Sequence, residues 1–409
     1  MDDAQRAVEA AARESYGRLV AYLSARWHDV AAVEDALAEA FLAALRKWPA
    51  DGVPQKPEAW LFATARHRLI DRARHEKMRG EVLQSFRHAV QQAEEMSDAA
   101  EFPDERLKLL FVCAHPAIDP AIHTPLMLQV VLGLDAATIA SAFLTLPATM
   151  GQRLTRAKRK IRDAGIAFEV PDGRALPERL GAVLEAIYAA YGSGWDDVAG
   201  ADPRRKGLVE EAIWLARVLL QLIPDEPEAR GLLALMLYCE SRRPARRASD
   251  GSYVPISDQD TSLWTAPMIE EAERTLMEAA RQKRPGRFQI EAALQSAHVE
   301  RARSGRIDWE AIAVLYEGLV RTAPTVGALV GRAAAVAEAR DAAAGLALLD
   351  DIPVESVKTY QPYWAVRAHL LQRTHQSRQA LEAFDRAIGL TEDDAIRKFL
   401  WRRSKLGSG

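Results

Sequence analysis

Apolar residues in this chain recur three and four positions apart from one end to the other, and strict apolar/polar alternation is almost absent. That spacing lines one face of an α-helix, whereas a half-buried strand needs a period of two. The expected fold class is therefore all-α. With 409 residues, the chain has room for two or three domains. Its 49% apolar and 27% charged residues suit a globular protein, and no apolar run is long enough to span a bilayer. The start, MDDAQRAVEAAARESYGRL, is acidic and amphipathic, unlike a signal peptide. Cys113 and Cys239 are too far apart in sequence to suggest a disulfide framework or a cysteine metal site, and they point to a reducing, cytoplasmic setting.

The stretch TMGQRLTRAKRKIRDA (149–164) stands out because Arg153, Arg156, Lys158, Arg159, Lys160 and Arg162 precede any acid, in a chain of formal net charge −3. A basic run is ordinarily just a solvated helix face. Here Met150, Leu154, Ala157 and Ile161 fall at i, i+4, i+7 and i+11, which predicts a docked helix. Thr149, Gln152, Arg153, Arg156 and Lys160 then lie mostly off the buried stripe, where they could read base edges and hold phosphates. Pro147 suits the first turn. Upstream, LDAATIASAFLTL (134–146) predicts a short amphipathic helix. The pair fits a helix-turn-helix whose second helix enters the major groove.

Residues 16–48 carry two helical patterns. In the second, Val33, Leu37, Phe41, Leu45 and Trp48 form the buried stripe, with Glu34, Asp35 and Glu39 expected outside it. PADGVPQKP (49–57) is expected to be a loop. The following helix turns Leu61, Phe62, Ala65 and Leu69 one way. It turns Trp60, Thr64, His67, Arg68, Asp71 and Arg72 mostly another, and Arg74, Lys77 and Arg79 add positive charge. A basic helix with an accessible tryptophan suits single-stranded nucleic acid, which combines base stacking with phosphate contacts.

The run AVEDALAEAFLAALRKWPADGVPQKPEAWLFATARHRLIDRAR is similar to domain two of extracytoplasmic-function sigma factors, and residues 106–164 resemble domain four. The run GLDAATIASAFLTLPATMGQRLTRAKRKIRDAGIAFEVP, with LPERLGAVLEAIYAAYGSGW and DQDTSLW beyond it, resembles a subgroup carrying a tetratricopeptide-like C-terminal extension. The resemblance implies core RNA polymerase and promoter DNA as partners. It places Asp35, Glu39 and Leu42 at the polymerase-docking position. It places Trp60, His67, Arg68, Asp71, Arg72 and Arg74 at the −10 element, and Thr149, Gln152, Arg153, Arg156 and Lys160 at the −35 element. The implied domains are 1–80 (domain two), 81–103 (linker), 104–168 (domain four) and 169–409 (extension). Ala38 and His67 stand where the family usually has glutamine and asparagine.

Beyond residue 169 the chain reads as paired amphipathic helices, the organisation of a helical-hairpin solenoid. SRRPARRASDGSYVPISDQDTSLWTAP (241–267) interrupts it as a long insertion. Asp258, Asp260 and Trp264 offer too few ligands for calcium. A loop that packs its tryptophan on the solenoid, with carboxylates capping or pairing arginines, is the plainer reading. A regulatory reading has these three residues and the Tyr191–Trp195 turn folding back onto the sigma domains, because Trp264 looks poorly placed for its own hairpin core. No phosphate-binding glycine loop or nucleophile motif is present, so neither catalysis nor a cofactor or metal is expected. Two other classes remain open: a one-component helix-turn-helix regulator with a repeat effector domain, and a repeat scaffold with a vestigial DNA-binding head.

Overall fold

A computed structural model describes residues 3–78, 104–143, 145–171, 175–195 and 208–406. The expected linker, 81–103, lies outside the described residues. Among the described residues the regular structure is helical, apart from one isolated bridge between Arg247 and Tyr253. The all-α expectation holds. Contacts gather the described residues into two compact units, one ending in the first half of the helix at 208–222, the other running from Ala216 onward.

The first unit opens with α1 (Asp3–Trp27), α2 (Val30–Asp51) and α3 (Pro57–Met78). Leu19, Val20, Leu23, Val33, Leu37 and Leu61 are almost wholly buried, each contributing about 1.5–3 kcal/mol of apolar burial. Asp29 caps α2, its carboxylate accepting from Ala32 N at 3.1 Å. The loop expected over 49–57 is shorter than the sequence suggested, because α2 continues through Pro49 to Asp51. A proline in the last turn forfeits one backbone hydrogen bond, and Gly52 at φ +84° then ends the helix, with its N–H on Trp48 O at 3.0 Å.

Next come α4 (Arg106–Cys113), α5 (Pro120–Val130), α6 (Ala136–Ala142) and α7 (Pro147–Asp163). The predicted 134–146 helix is trimmed to α6, which Asp135 starts by accepting from Ala137 N and Thr138 N, both at 2.8 Å. Met150, Leu154, Ala157 and Ile161 are the buried residues of α7, as their spacing predicts. The compact unit does not stop at residue 168. Helix α8 (Leu176–Trp195) packs on α4 and α5. Thr124 Oγ1 donates to Ala186 O at 2.9 Å, and the Arg179 guanidinium donates to Phe111 O. Leu180, Val183, Leu184, Ile187, Ala190 and Tyr191 are buried. Residues 191–195, expected to be a turn, form the end of α8. Helix α9 (Leu208–Leu222) follows, and the Arg106 guanidinium sits 5.9 Å from its Trp214 ring.

The second unit is a succession of paired helices: α10 (Pro227–Ser241), α11 (Ala266–Arg281), α12 (Arg287–Val299), α13 (Arg301–Ser304), α14 (Trp309–Thr322), α15 (Val326–Ala339), α16 (Ala342–Asp350), α17 (Val354–Val357), α18 (Gln361–Arg373), α19 (Ser377–Leu390) and α20 (Asp394–Leu406). Small residues mark the closest crossings. A β-carbon on Gly231 of α10 would stand 2.6 Å from Gln289 N of α12, a distance real β-carbons do not adopt. One turn earlier on α10, Glu228 caps α12 from across the crossing. Its carboxylate accepts from Phe288 N at 3.0 Å and Gln289 N at 3.1 Å, while Gly286 at the N-cap has no side chain to do so.

Candidate functional site

Helix α2 exposes the three residues expected to dock a partner. Leu42 is 53% exposed, and Asp35 and Glu39 lie on the same open face. Neither acid stands alone. Asp35 pairs with Arg72 of α3 at 3.3 Å, and Glu39 pairs with Arg68 at 3.2 Å. All four side chains keep about half or more of their surface in water, so each pair is worth roughly 0.2–1 kcal/mol. The arrangement joins the two expected sites, since the arginines proposed for DNA are held in the free chain by the acids proposed for docking.

On α3, His67, Arg68, Asp71, Arg72 and Arg74 are exposed. Trp60 departs from the expectation of an accessible stacking surface. It is half-buried, edge-on to Trp48 with ring centroids 5.6 Å apart and planes at 69°. One face of the indole is thus spent on the α2–α3 core, because the tryptophan sits at the turn where the two helices meet.

Helix α7 presents Gln152, Arg153, Arg156, Arg159 and Lys160 to solvent, with Thr149 partly covered. Helix α6 packs against its other side. Exposed amide and guanidinium groups on a helix anchored by four buried apolar residues are the equipment of a major-groove reader. Lys158 does not belong to that open face. Its ammonium lies 2.5 Å from Glu34 Oε2 of α2 and 3.0 Å from Gln129 Oε1 of α5. Only 12% of the lysine side chain and 13% of the glutamate side chain remain accessible. Glu34, expected outside the core with Asp35 and Glu39, is the one acid of the three that is covered. Burial pushes its carboxyl above the ordinary value although Lys158 and the Tyr16 hydroxyl pull it down. Burial, reinforced by the Glu34 charge, raises the Tyr16 phenol as well.

The family model described as sigma-70 region 2 matches residues 12–79, from within α1 through α3. An uncharacterized protein of Rhizobium meliloti (strain 1021) is 37% identical over 389 residues, covering 94% of this chain and 91% of its own length. The chain carries a sigma-70 region 2, which supports a sigma factor of the sigma-70 family. Factors of this family bind core RNA polymerase and promoter DNA and act in transcription initiation. A second model, described as a family of unknown function (DUF6596), matches residues 179–280, from α8 through most of α11.

Two expectations about the rest of the chain change. Trp264 does not stand off its own surroundings. It is 7% exposed, with the Arg301 guanidinium carbon 5.4 Å from its ring centroid. Arg301 also pins the insertion by donating to Ser257 O and Gln259 O, each at 2.6 Å. The premise that Trp264 needs a distant surface is overturned, because the insertion is folded in short 3-10 turns around an arginine from α13. Asp258 and Asp260 are exposed and serve locally. Asp258 accepts from Ser257 Oγ at 2.8 Å, and Asp260 accepts from Ser262 N at 2.9 Å. No group of His, Cys, Asp or Glu among the described residues could hold a metal ion, and no described helix is long and apolar enough to cross a membrane.

The residues that sequence reasoning missed are Tyr16, Gln129 and the Glu34–Lys158 pair. The one available signal was position 34, directly after buried Val33 on a helix whose other expected acids sit at 35 and 39. Spacing alone does not say which acid of such a set faces a neighbour.

Proposed function

We propose that this protein is an alternative sigma factor of the extracytoplasmic-function type. In this reading α2 docks on core polymerase through Asp35, Glu39 and Leu42. Helix α3 engages the −10 element through Trp60, His67, Arg68, Asp71, Arg72 and Arg74. The α6–α7 helix-turn-helix reads the −35 element through Thr149, Gln152, Arg153, Arg156 and Lys160. The observation that carries the reading is the split of α7, with Met150, Leu154, Ala157 and Ile161 buried and the arginines left open, in the same chain as a sigma-70 region 2. Two DNA modules on one chain raise the effective concentration of the second contact once the first has formed.

The helices from α10 onward form a tetratricopeptide-like extension that regulates the sigma domains. Support comes from the repeated pairing of short helices with small residues at their crossings, as at Gly231, and at Gly345 beneath Ala337 and Leu370. In this reading the insertion acts on the sigma domains through the exposed Asp258 and Asp260, since the indole of Trp264 is buried.

Co-purification of the full chain with core polymerase, followed by promoter-specific transcription in vitro, tests the reading. A chain that binds operator DNA and never binds core polymerase would instead be a one-component regulator.

A further inference from the structure

The helix assigned to polymerase docking and the helix assigned to the −35 element touch each other in the free chain. Helices α2 and α7 are joined at Glu34 and Lys158, 124 residues apart in sequence and 2.5 Å apart in space. The pair is walled in on several sides. Tyr16 of α1 donates its hydroxyl to Glu34 Oε1 at 3.3 Å, and Lys158 donates a second bond to Gln129 of α5 at 3.0 Å. A turn further along α7, Arg162 reaches Asp29, the cap of α2, at 3.5 Å. Around this cluster the backbones are pressed together. A β-carbon on Gly17 of α1 would stand 2.2 Å from Val131 O just after α5, and one on Gly133, at φ +73°, would stand 2.9 Å from the Tyr16 ring. Such an interface is built, with glycine where nothing larger fits.

It is also incompatible with the work assigned to α3 and α7. Promoter elements some 25 base pairs apart are separated by about 85 Å at roughly 3.4 Å per pair. Helix α3 is packed on α2, and α2 touches α7, so in this arrangement the two DNA helices cannot reach both elements. We propose that Glu34, Lys158 and Tyr16 form a latch that holds the free chain closed, so that core polymerase binds only the fraction in which the latch has opened. The inference rests on the assignment of α2 to polymerase docking. Glu34 adjoins Asp35 on the same turn, so a partner settling on α2 competes for the surface that α7 occupies. Charge makes the latch specific and reversible: one buried ion pair, reached by no other cation among the described contacts of Glu34. An apolar contact of the same area would hold α7 without discriminating what displaces it.

The test measures the α2–α7 separation in the full chain by energy transfer between dyes at Lys47→Cys and Arg159→Cys, both exposed positions. Cys239→Ser removes the partly accessible native thiol, while Cys113 is buried. The parent is expected to give one narrow, short distance. Glu34→Lys and Lys158→Glu should each lose most of the transfer, and the double swap, Glu34→Lys with Lys158→Glu, should restore it. Circular dichroism separates opening from unfolding, and the near-isosteric pair Glu34→Gln and Lys158→Met repeats the comparison without reversed charge. Singles that keep the parent distance, or a swap that fails to restore it, would overturn the latch. In a second arm, Lys158→Glu, which leaves the α2 docking face intact, should bind core polymerase at least about tenfold more tightly than the parent, because a closed fraction lowers apparent affinity in proportion. Opened chains with unchanged affinity would overturn the inhibitory role. Core binding by none of the chains, with distances still following the ion pair, would sink the docking assignment and leave the latch standing.

Discussion

Removing the cation from the buried pair, as Lys158→Met, keeps the aliphatic packing and strands the Glu34 carboxylate. Breaking a buried pair in this way costs about 3–5 kcal/mol when the remaining charge is trapped. Here Glu34 has an escape, because it can take up a proton. Starting from a carboxyl of ordinary pKa 4.5, neutralising it at pH 7 costs about 3.4 kcal/mol, at about 1.36 kcal/mol for each unit. At pH 5.5 the same step costs about 1.4 kcal/mol. Those figures are ceilings. With 13% of the glutamate side chain still accessible, an expected loss of about 2–3 kcal/mol at pH 7 and about 1 kcal/mol at pH 5.5 follows. The sign comes from linkage. The folded carboxyl lies above its unfolded value, so the folded chain binds the extra proton between the two, and stability falls as pH rises through that window. The groups that act on this carboxyl are Lys158 from α7, Tyr16 from α1 and Asp35 beside it on α2, and Cys113 from α4 feels its charge in turn. Amide hydrogen exchange in α2 and α7, corrected for intrinsic rates, reads the opening free energy locally without assuming that the whole chain unfolds in one step. The double variant Glu34→Gln/Lys158→Met should recover most of the loss. Equal losses at both pH values, or no recovery in the double variant, would refute the reasoning.

Asp35→Arg with Glu39→Arg should abolish core binding while costing the fold only about 1–2 kcal/mol, since two exposed pairs to Arg72 and Arg68 become repulsions of similar size; pull-down with core enzyme and a thermal melt check both halves. Arg153→Ala and Gln152→Ala should each weaken use of the cognate promoter by about 1–3 kcal/mol with helicity unchanged, whereas Met150→Asp should disrupt the α6–α7 pair, as transcription in vitro and circular dichroism will tell. Glu228→Ala removes a carboxylate from two backbone N–H groups at the start of α12 and should destabilise that part of the second unit by about 1–3 kcal/mol, measured as faster exchange across 287–299. A chain ending at residue 170 should melt well below one ending at residue 222, because only the longer one retains α8 against α4 and α5; equal melting of the two would mean that α8 adds nothing to the first unit.

What the sequence determined by itself is local. A period of 3.6 over almost every segment commits the chain to helices, and the stripe Met150, Leu154, Ala157, Ile161 names the buried side of α7. From that stripe the open face at Gln152, Arg153, Arg156 and Lys160 follows; on α2 the stripe left Asp35 and Glu39 outside, as they are, but placed Leu45 inside, where the structure leaves it 44% exposed. What only the tertiary structure decided is which groups meet across long separations. Periodicity puts Glu34 outside its stripe and counts Lys158 only as one of a basic run, yet such a residue is covered or open according to the neighbour that arrives, a fact not encoded within one helix. The same holds for α8, whose apolar face suits many partners and is claimed by α4 and α5. Trp264 looks stranded among polar and proline residues, yet Arg301, from a helix 37 residues on, covers it. Helical propensity acts over one turn, while burial is settled by the whole packed unit.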